Sequence, residues 1–287
     1  MPQLRKDPVT GRWVIVDLEH PKLEFNSPPP VKSSKTCPFC PGQEAMTPPA
    51  IATIMKKGMN KDSDWQVRVI PNKFPALSIE QSPEKSALGI YDRLGGFGAH
   101  EVIIENPDHG REMADLPDED VEQILRVYRD RCRDLRKDPR LKYILVFKNY
   151  GPDAGSSMEH PHSQLIALPI VPSRVQGEMK GAQSHLDVTE RCLFCDMLSQ
   201  EVSEKKLTVF SNDHFTVLAP FASRFPFETW LLPKRHEAAF DELPETSLKP
   251  LAEALRAVLG KIKTALGGPS YNFMIHTLPL QTKASDS

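Results

Sequence analysis

From residue 118 to residue 137 apolar positions return every three or four residues, with Val121, Ile124, Leu125, Tyr128, Cys132 and Leu135 on one face and charged side chains on the other. That spacing predicts an amphipathic helix buried along one stripe. A second amphipathic helix is predicted over residues 245–266. Shorter apolar stretches predict strands over residues 66–70, 100–105, 143–147, 215–218, 229–232 and 271–275. The Pro-rich residues 27–31 and 47–49 read as loops.

These elements form one unit written twice. The first contains Cys37-x-x-Cys40, two strands, His109, Leu116-Pro117, a helix and the strand from Tyr143. The second contains Cys192-x-x-Cys195, two strands, His236, Leu243-Pro244, a helix and the strand from Tyr271. In each unit the Leu-Pro pair begins seven residues after the histidine. The first unit continues into a His-Pro-His segment, whose counterpart in the second would fall just beyond Ser287. We therefore expect the last strand of the second unit to lie outside this chain, with residues 281–287 a polar tail. The repeated order predicts an α+β fold: an antiparallel sheet with helices packed on it, in two parts, residues 1–175 and 176–287.

Composition narrows the class. A chain of 287 residues, 39% hydrophobic and 26% charged, is that of a soluble globular protein with a sizeable core. No apolar run approaches the roughly 18 residues a membrane helix needs, and residues 1–6 lack a signal-peptide core, so a cytoplasmic location is expected. A net charge of −2 argues against nucleic acid as the main partner. Four of the five cysteines form the two Cys-x-x-Cys pairs, a pattern that in a cytosolic chain favours metal over disulfide. Cys132 falls on the apolar helix face and reads as core.

The chemistry concentrates at Glu159-His160-Pro161-His162-Ser163-Gln164, which follows a turn-rich stretch from Asn149 to Ser157 and runs into Leu165-Ile166-Ala167-Leu168-Pro169. Pro161 favours an extended backbone. The two histidine rings are expected to face opposite ways, one toward a metal and the other toward a substrate. Upstream glycines let the backbone approach an anion, and a neutral histidine can attack phosphorus and leave again. The segment reads as a phosphate site with a nucleophile.

The order of motifs resembles the galactose-1-phosphate uridylyltransferases of the histidine-triad superfamily over nearly the whole chain. The matching residues are Asp7-Pro8, Gly11-Arg12-Trp13-Val14-Ile15-Val16, Cys37-Pro38-Phe39-Cys40 and Val69-Ile70-Pro71-Asn72-Lys73-Phe74-Pro75-Ala76-Leu77. His100-Glu101-Val102-Ile103-Ile104-Glu105-Asn106-Pro107-Asp108-His109, the His-Pro-His-Ser-Gln segment and Phe225-Pro226-Phe227-Glu228-Thr229-Trp230-Leu231-Leu232-Pro233 complete the set. The resemblance implies two histidine-triad-like repeats and a structural zinc held by Cys37, Cys40, His109 and His160. It implies a second metal at Cys192, Cys195 and His236, whose fourth ligand would come from the missing strand. His276 is the nearest remaining histidine, and some relatives use a glutamate that would correspond to Glu178.

The resemblance also makes His162 the nucleophile and Gln164 a donor to a phosphoryl oxygen. Asn149, Gly151, Gly155 and Ser157 match its phosphate loop, and Asn72 a nucleotide contact. The implied reaction is ping-pong uridylyl transfer between UDP-glucose and a hexose 1-phosphate, galactose 1-phosphate, by a homodimer. Two alternatives stand beside it: an ADP-glucose phosphorylase or adenylyltransferase of the same fold, and a zinc-stabilised binding module that has lost turnover. One departure bears on substrate choice. Where relatives carry phosphate-binding arginines this chain has Asp17-Leu18-Glu19-His20-Pro21-Lys22, and a lysine supplies a point charge but no bidentate fork.

Overall fold

A computed structural model of the chain describes residues 3–16, 37–56, 58 and 64–280. Residues 17–22, the Pro-rich residues 27–31 and the polar tail 281–287 lie outside the described residues. The central layer is a six-stranded antiparallel sheet built from β3 (Ala52–Met55), β4 (Trp65–Pro71), β7 (Ala99–Ile104), β8 (Tyr143–Tyr150), β9 (His162–Leu168) and β13 (Tyr271–Ile275). Its order is β13-β8-β9-β7-β4-β3. A separate three-stranded sheet contains β10 (Thr208–Ser211), β11 (Phe215–Leu218) and β12 (Trp230–Pro233), and two hairpins, β1 (Gln3–Lys6) with β2 (Trp13–Val16) and β5 (Lys85–Leu88) with β6 (Tyr91–Leu94), complete the strands among the described residues.

The two amphipathic patterns become α1 (Asp118–Leu135) and α4 (Glu245–Leu266). Asp118, Glu119 and Asp120 occupy the first turn of α1, where negative charge meets the exposed N–H groups. Gly267 ends α4 in the left-handed conformation at φ 69°, and the N–H of Gly268 returns to the carbonyl of Lys263. Val121, Ile124, Leu125 and Tyr128 of α1 and Leu248, Leu251 and Val258 of α4 join Val69, Ile103, Ile144, Val146 and Leu165 of the sheet in one core. Burying each such side chain contributes roughly 1.5–3 kcal/mol. Cys132 is buried among them.

The opposite face carries a smaller cluster in which Cys37 and Phe39 pack on Trp65, Ile70, Val102 and Ile104. This places the first Cys-x-x-Cys pair over β4 and β7. The second unit reaches the first through β13, which pairs with β8 from Tyr271↔Tyr150 to Ile275↔Val146.

Two helices escape the periodicity. These are α2 (Ser173–Thr189), which has no buried residue, and α3 (Leu193–Glu204). A helix without a buried stripe leaves no apolar repeat to read. The division expected after residue 175 falls inside α2.

A buried charge pair joins the sheet to α1. Lys148 and Glu105 are both fully buried, and Lys148 Nζ donates to Glu105 Oε2 at 2.5 Å and to the His162 carbonyl at 3.4 Å. Ser163 Oγ donates to Glu105 Oε1, and Tyr128 OH lies 2.5 Å from Ser163 Oγ. Removing one partner strands the other charge, so Lys148→Met is expected to cost about 3–5 kcal/mol. Thermal melting checks this: about 2–4 °C is lost per kcal/mol in a chain of this size, and an unchanged Tm would contradict it.

Candidate functional site

β9 is held on both sides, by β7 from Ala99↔Ala167 to Ile104↔His162 and by β8 from Tyr143↔Leu168 to Phe147↔Gln164. This central position fixes the backbone of the His-Pro-His-Ser-Gln segment. His160 and His162 do not diverge as the sequence reading expected. Both meet the Phe39 ring edge-on, with centroids 6.1 and 5.5 Å away. Positions two apart in an extended chain share a face, so the rings differ instead in which nitrogen is free.

His160 Nε2 donates to the Asn106 carbonyl at 2.9 Å, which leaves the Nδ1 lone pair toward the cysteines. Nδ1 lies 3.8 Å from Cys37 Sγ and 3.6 Å from Cys40 Sγ, and His109 Nδ1 lies 3.4 Å from Cys40 Sγ. Ligand atoms of Cys37, Cys40, His109 and His160 all lie within 4.8 Å of one another. Zn–S and Zn–N bonds of about 2.3 and 2.05 Å at tetrahedral angles separate sulfur from nitrogen by about 3.6 Å. The four donors therefore fit a tetrahedral metal with no position left for water. Burial pushes the His160 ring down to about 4, so it is neutral, as a ligand must be. Burial and the adjacent Cys37 push the Cys40 thiol up to about 11, which a bound cation would reverse.

His162 has the opposite arrangement. Its Nδ1 donates to the His160 carbonyl at 2.8 Å, so Nε2 carries the free lone pair. Burial lowers the pKa of this ring, and the positive Lys148 adds to the effect. The neutral tautomer with a free Nε2 is the nucleophilic form.

Gln164 Oε1 accepts from His100 Nε2 at 2.8 Å. Asn72 Nδ2 stands 3.1 Å from the same His100 nitrogen, while Asn72 Oδ1 accepts the Phe74 N–H at 2.9 Å. Asn72 thus makes a side-chain turn and reaches the Gln164 neighbourhood. Extending the β8–β9 register places Asn149 level with His162. Asn149 Oδ1 accepts from Asn272 Nδ2 at 2.7 Å, and Asn272 also donates to the Ala154 carbonyl at 2.9 Å. Gly151 has φ 83° and a Cβ there would stand 2.3 Å from Ser270 Oγ, so only glycine fits. Gly155 is left-handed at φ 78°, its N–H bonded to Pro152, and Ser157 is exposed just beyond. The structure thus brings His162, Gln164, Asn149 and Asn72 to one region of the sheet, with the glycine loop beside β13.

The model of the galactose-1-phosphate uridyl transferase N-terminal domain matches residues 1–172. The chain belongs to the galactose-1-phosphate uridylyltransferase family. It is accordingly an enzyme, a nucleotidyltransferase. A domain of unknown function, DUF4921, also matches residues 98–255. An ADP-glucose phosphorylase of Arabidopsis thaliana is 37% identical over 99% of this chain and 80% of its own length. A galactose-1-phosphate uridylyltransferase of Thermotoga maritima is 30% identical over 91% of this chain and 76% of its own. The crystal structure of an ADP-glucose phosphorylase from Arabidopsis thaliana with bound ADP-glucose covers 100% of this chain and 85% of its own, with 36% identity and a TM-score of 0.83.

Within this family fold the second cysteine pair caps and opens α3, and Cys195 Sγ lies 3.4 Å from His236 Nδ1. Cys192, Cys195 and His236 form a three-donor cluster among the described residues. His276 and Glu178, the two further candidates, bond to each other at 2.7 Å outside that cluster. Among the described residues no helix is long and apolar enough to cross a membrane.

Two further residues contribute to this region. His100 alternates with Val102 and Ile104 on β7, which puts it on the face of Gln164. Asn272 carries no signal of its own in the sequence; the pairing of β13 with β8 sets it opposite Asn149.

Proposed function

We propose that the protein transfers a nucleotidyl group from a nucleoside diphosphate hexose through a covalent intermediate on His162. The observation that carries this reading is the His162 Nδ1–H bond to the His160 carbonyl, which leaves Nε2 unprotonated in a protein of this family. The Nε2 lone pair forms a bond to the α-phosphorus. The bond from that phosphorus to the bridging oxygen breaks, and hexose 1-phosphate departs with the electron pair. An oxygen of an acceptor phosphate then attacks the same phosphorus, and the P–N bond returns its pair to Nε2. No proton moves on Nε2, so a neutral amide suffices at Gln164, where an N–H stabilises charge on a phosphoryl oxygen. Asn149, Gly151, Gly155 and Ser157 receive the phosphates, and Asn72 contacts the nucleotide.

The likeness to the ADP-glucose phosphorylase in sequence and fold favours ADP-glucose as donor and inorganic phosphate as acceptor, ahead of the uridylyl transfer first expected from the motifs. The second reading, uridylyl exchange between UDP-glucose and galactose 1-phosphate, is supported by the Thermotoga maritima relative. Comparing kcat/KM for ADP-glucose with phosphate against UDP-glucose with galactose 1-phosphate decides between them. A higher value for the uridine pair overturns the first.

In this reading Cys37, Cys40, His109 and His160 hold zinc, which ties the loop over β4 and β7 to the residue two before the nucleophile. Cys192, Cys195 and His236 hold a second metal. A homodimer and a cytoplasmic location belong to the same reading. Gln164→Ala is expected to lower kcat about 10²–10³-fold with little change in KM, the loss typical of one donor that acts in the transition state. Steady-state kinetics on the metal-loaded protein checks it; a rise in KM alone would contradict the role.

A further inference from the structure

We propose that His100 is a positioning residue that locks the orientation of the Gln164 amide. The inference rests on the reading of Gln164 as the phosphoryl donor. The His100 ring assigns its own protons. Nδ1 lies 3.1 Å from the Ala76 backbone nitrogen, which can only donate, so Nδ1 is an acceptor. Nε2 then carries the hydrogen and donates to Gln164 Oε1 at 2.8 Å. With that oxygen engaged, the Gln164 –NH2 group must point the other way.

An amide is nearly symmetric in shape, so packing alone does not choose between its two orientations. The hydrogen bond from His100 does choose. A flipped Gln164 would present a carbonyl oxygen to a phosphoryl oxygen, and a donor would become a repulsion. The strands supply the geometry: Val102 lies opposite Gln164 and His100 opposite Ile166, which makes His100 and Gln164 diagonal neighbours on one face.

The ring itself is held by the chain that follows β4. The Asn72 N–H donates to the His100 carbonyl at 2.8 Å, and the Ala76 N–H donates to its ring. Asn72 Oδ1 is occupied by the Phe74 N–H, so its Nδ2 is a donor, and its 3.1 Å approach to the protonated His100 Nε2 is a contact between two donors and not a hydrogen bond. One histidine thus organises Gln164 and the turn that carries Asn72.

The test is the single-turnover rate of His162 nucleotidylation by ADP-glucose and UDP-glucose in the metal-loaded wild type, His100→Ala, His100→Phe, His100→Gln, Gln164→Ala and the double variant His100→Ala/Gln164→Ala. We expect His100→Ala to be slowed about 10-fold or more and the double variant to be no slower than Gln164→Ala alone, because interacting residues give non-additive losses. His100→Phe fills the same space without the donor and is expected to be as slow, with a wild-type Tm. His100→Gln, whose amide N–H reaches the same place, is expected to recover most of the rate. Wild-type rates in His100→Ala or His100→Phe, or losses that multiply in the double variant, would overturn the proposal. A wild type that forms no intermediate from either nucleotide sugar overturns the function and this role together; a labelled wild type beside an unaffected His100 variant overturns only the latter.

Discussion

Replacing His162 by glycine is expected to lower turnover by at least about 10⁴-fold, the scale seen when a covalent nucleophile is removed from its site. The expectation follows from the geometry of one ring. His162 is 6% exposed, its Nδ1 is bonded at 2.8 Å to the carbonyl two residues back, and its Nε2 has no proton to lose before it attacks. Among the described residues no other in the region combines a free lone pair with that placement: His100 uses its own acceptor nitrogen on the Ala76 N–H, and His160 turns its free nitrogen to the cysteines. Because burial lowers the His162 pKa below the usual 6.5, the wild-type rate is expected to stay level as pH falls through 6.5, and to decline only at lower pH, where Nε2 becomes protonated. Steady-state turnover across pH checks both parts. A His162→Gly protein with near-wild-type turnover, or a wild-type acid limb centred at or above 6.5, would contradict this account.

Cys37→Ser is expected to have the largest effect on stability. The proposed zinc site joins the Cys37–Cys40 turn, His109 in the turn that follows β7 and His160 just before β9 through four donors within 4.8 Å, three of them buried. Losing one sulfur removes a ligand bond and leaves the other donors buried and unpaired. A structural zinc contributes several kcal/mol to folding, so a drop in Tm of about 10 °C or more is expected at about 2–4 °C per kcal/mol. Elemental analysis should show one metal fewer per chain. Cys195→Ser is expected to cost much less, because its cluster has three donors among the described residues and its His236 is exposed. Equal losses at the two sites would contradict the difference in role.

Much of this was legible in the sequence because periodicity and spacing survive folding. The stripe from Val121 to Cys132 could only be one face of a helix, and α4 matched its expected limits despite Pro250, which lies near its start. The resemblance named Cys37, Cys40, His109 and His160 as one set, and the fold brings their donor atoms within 4.8 Å of one another. What escaped has physical reasons too. α2 buries nothing, so it carries no pattern, and the β13–β8 pairing depends on two units meeting rather than on either strand. Nothing in the sequence pattern marks Lys148 and Glu105 as a pair. Only the fold shows them fully buried, joined to each other and placed beneath His162. The two rings do not diverge as expected because positions two apart in an extended chain share a face, and both meet the Phe39 ring.

The most direct test of the central claim is the intact mass of the metal-loaded protein after brief mixing with ADP-glucose and, separately, UDP-glucose, followed by peptide mapping. The account predicts one nucleotidyl group per chain, attached to His162, formed faster from ADP-glucose, and released when phosphate is added. Absence of a covalent adduct from either nucleotide sugar, or an adduct on any residue other than His162, would contradict it.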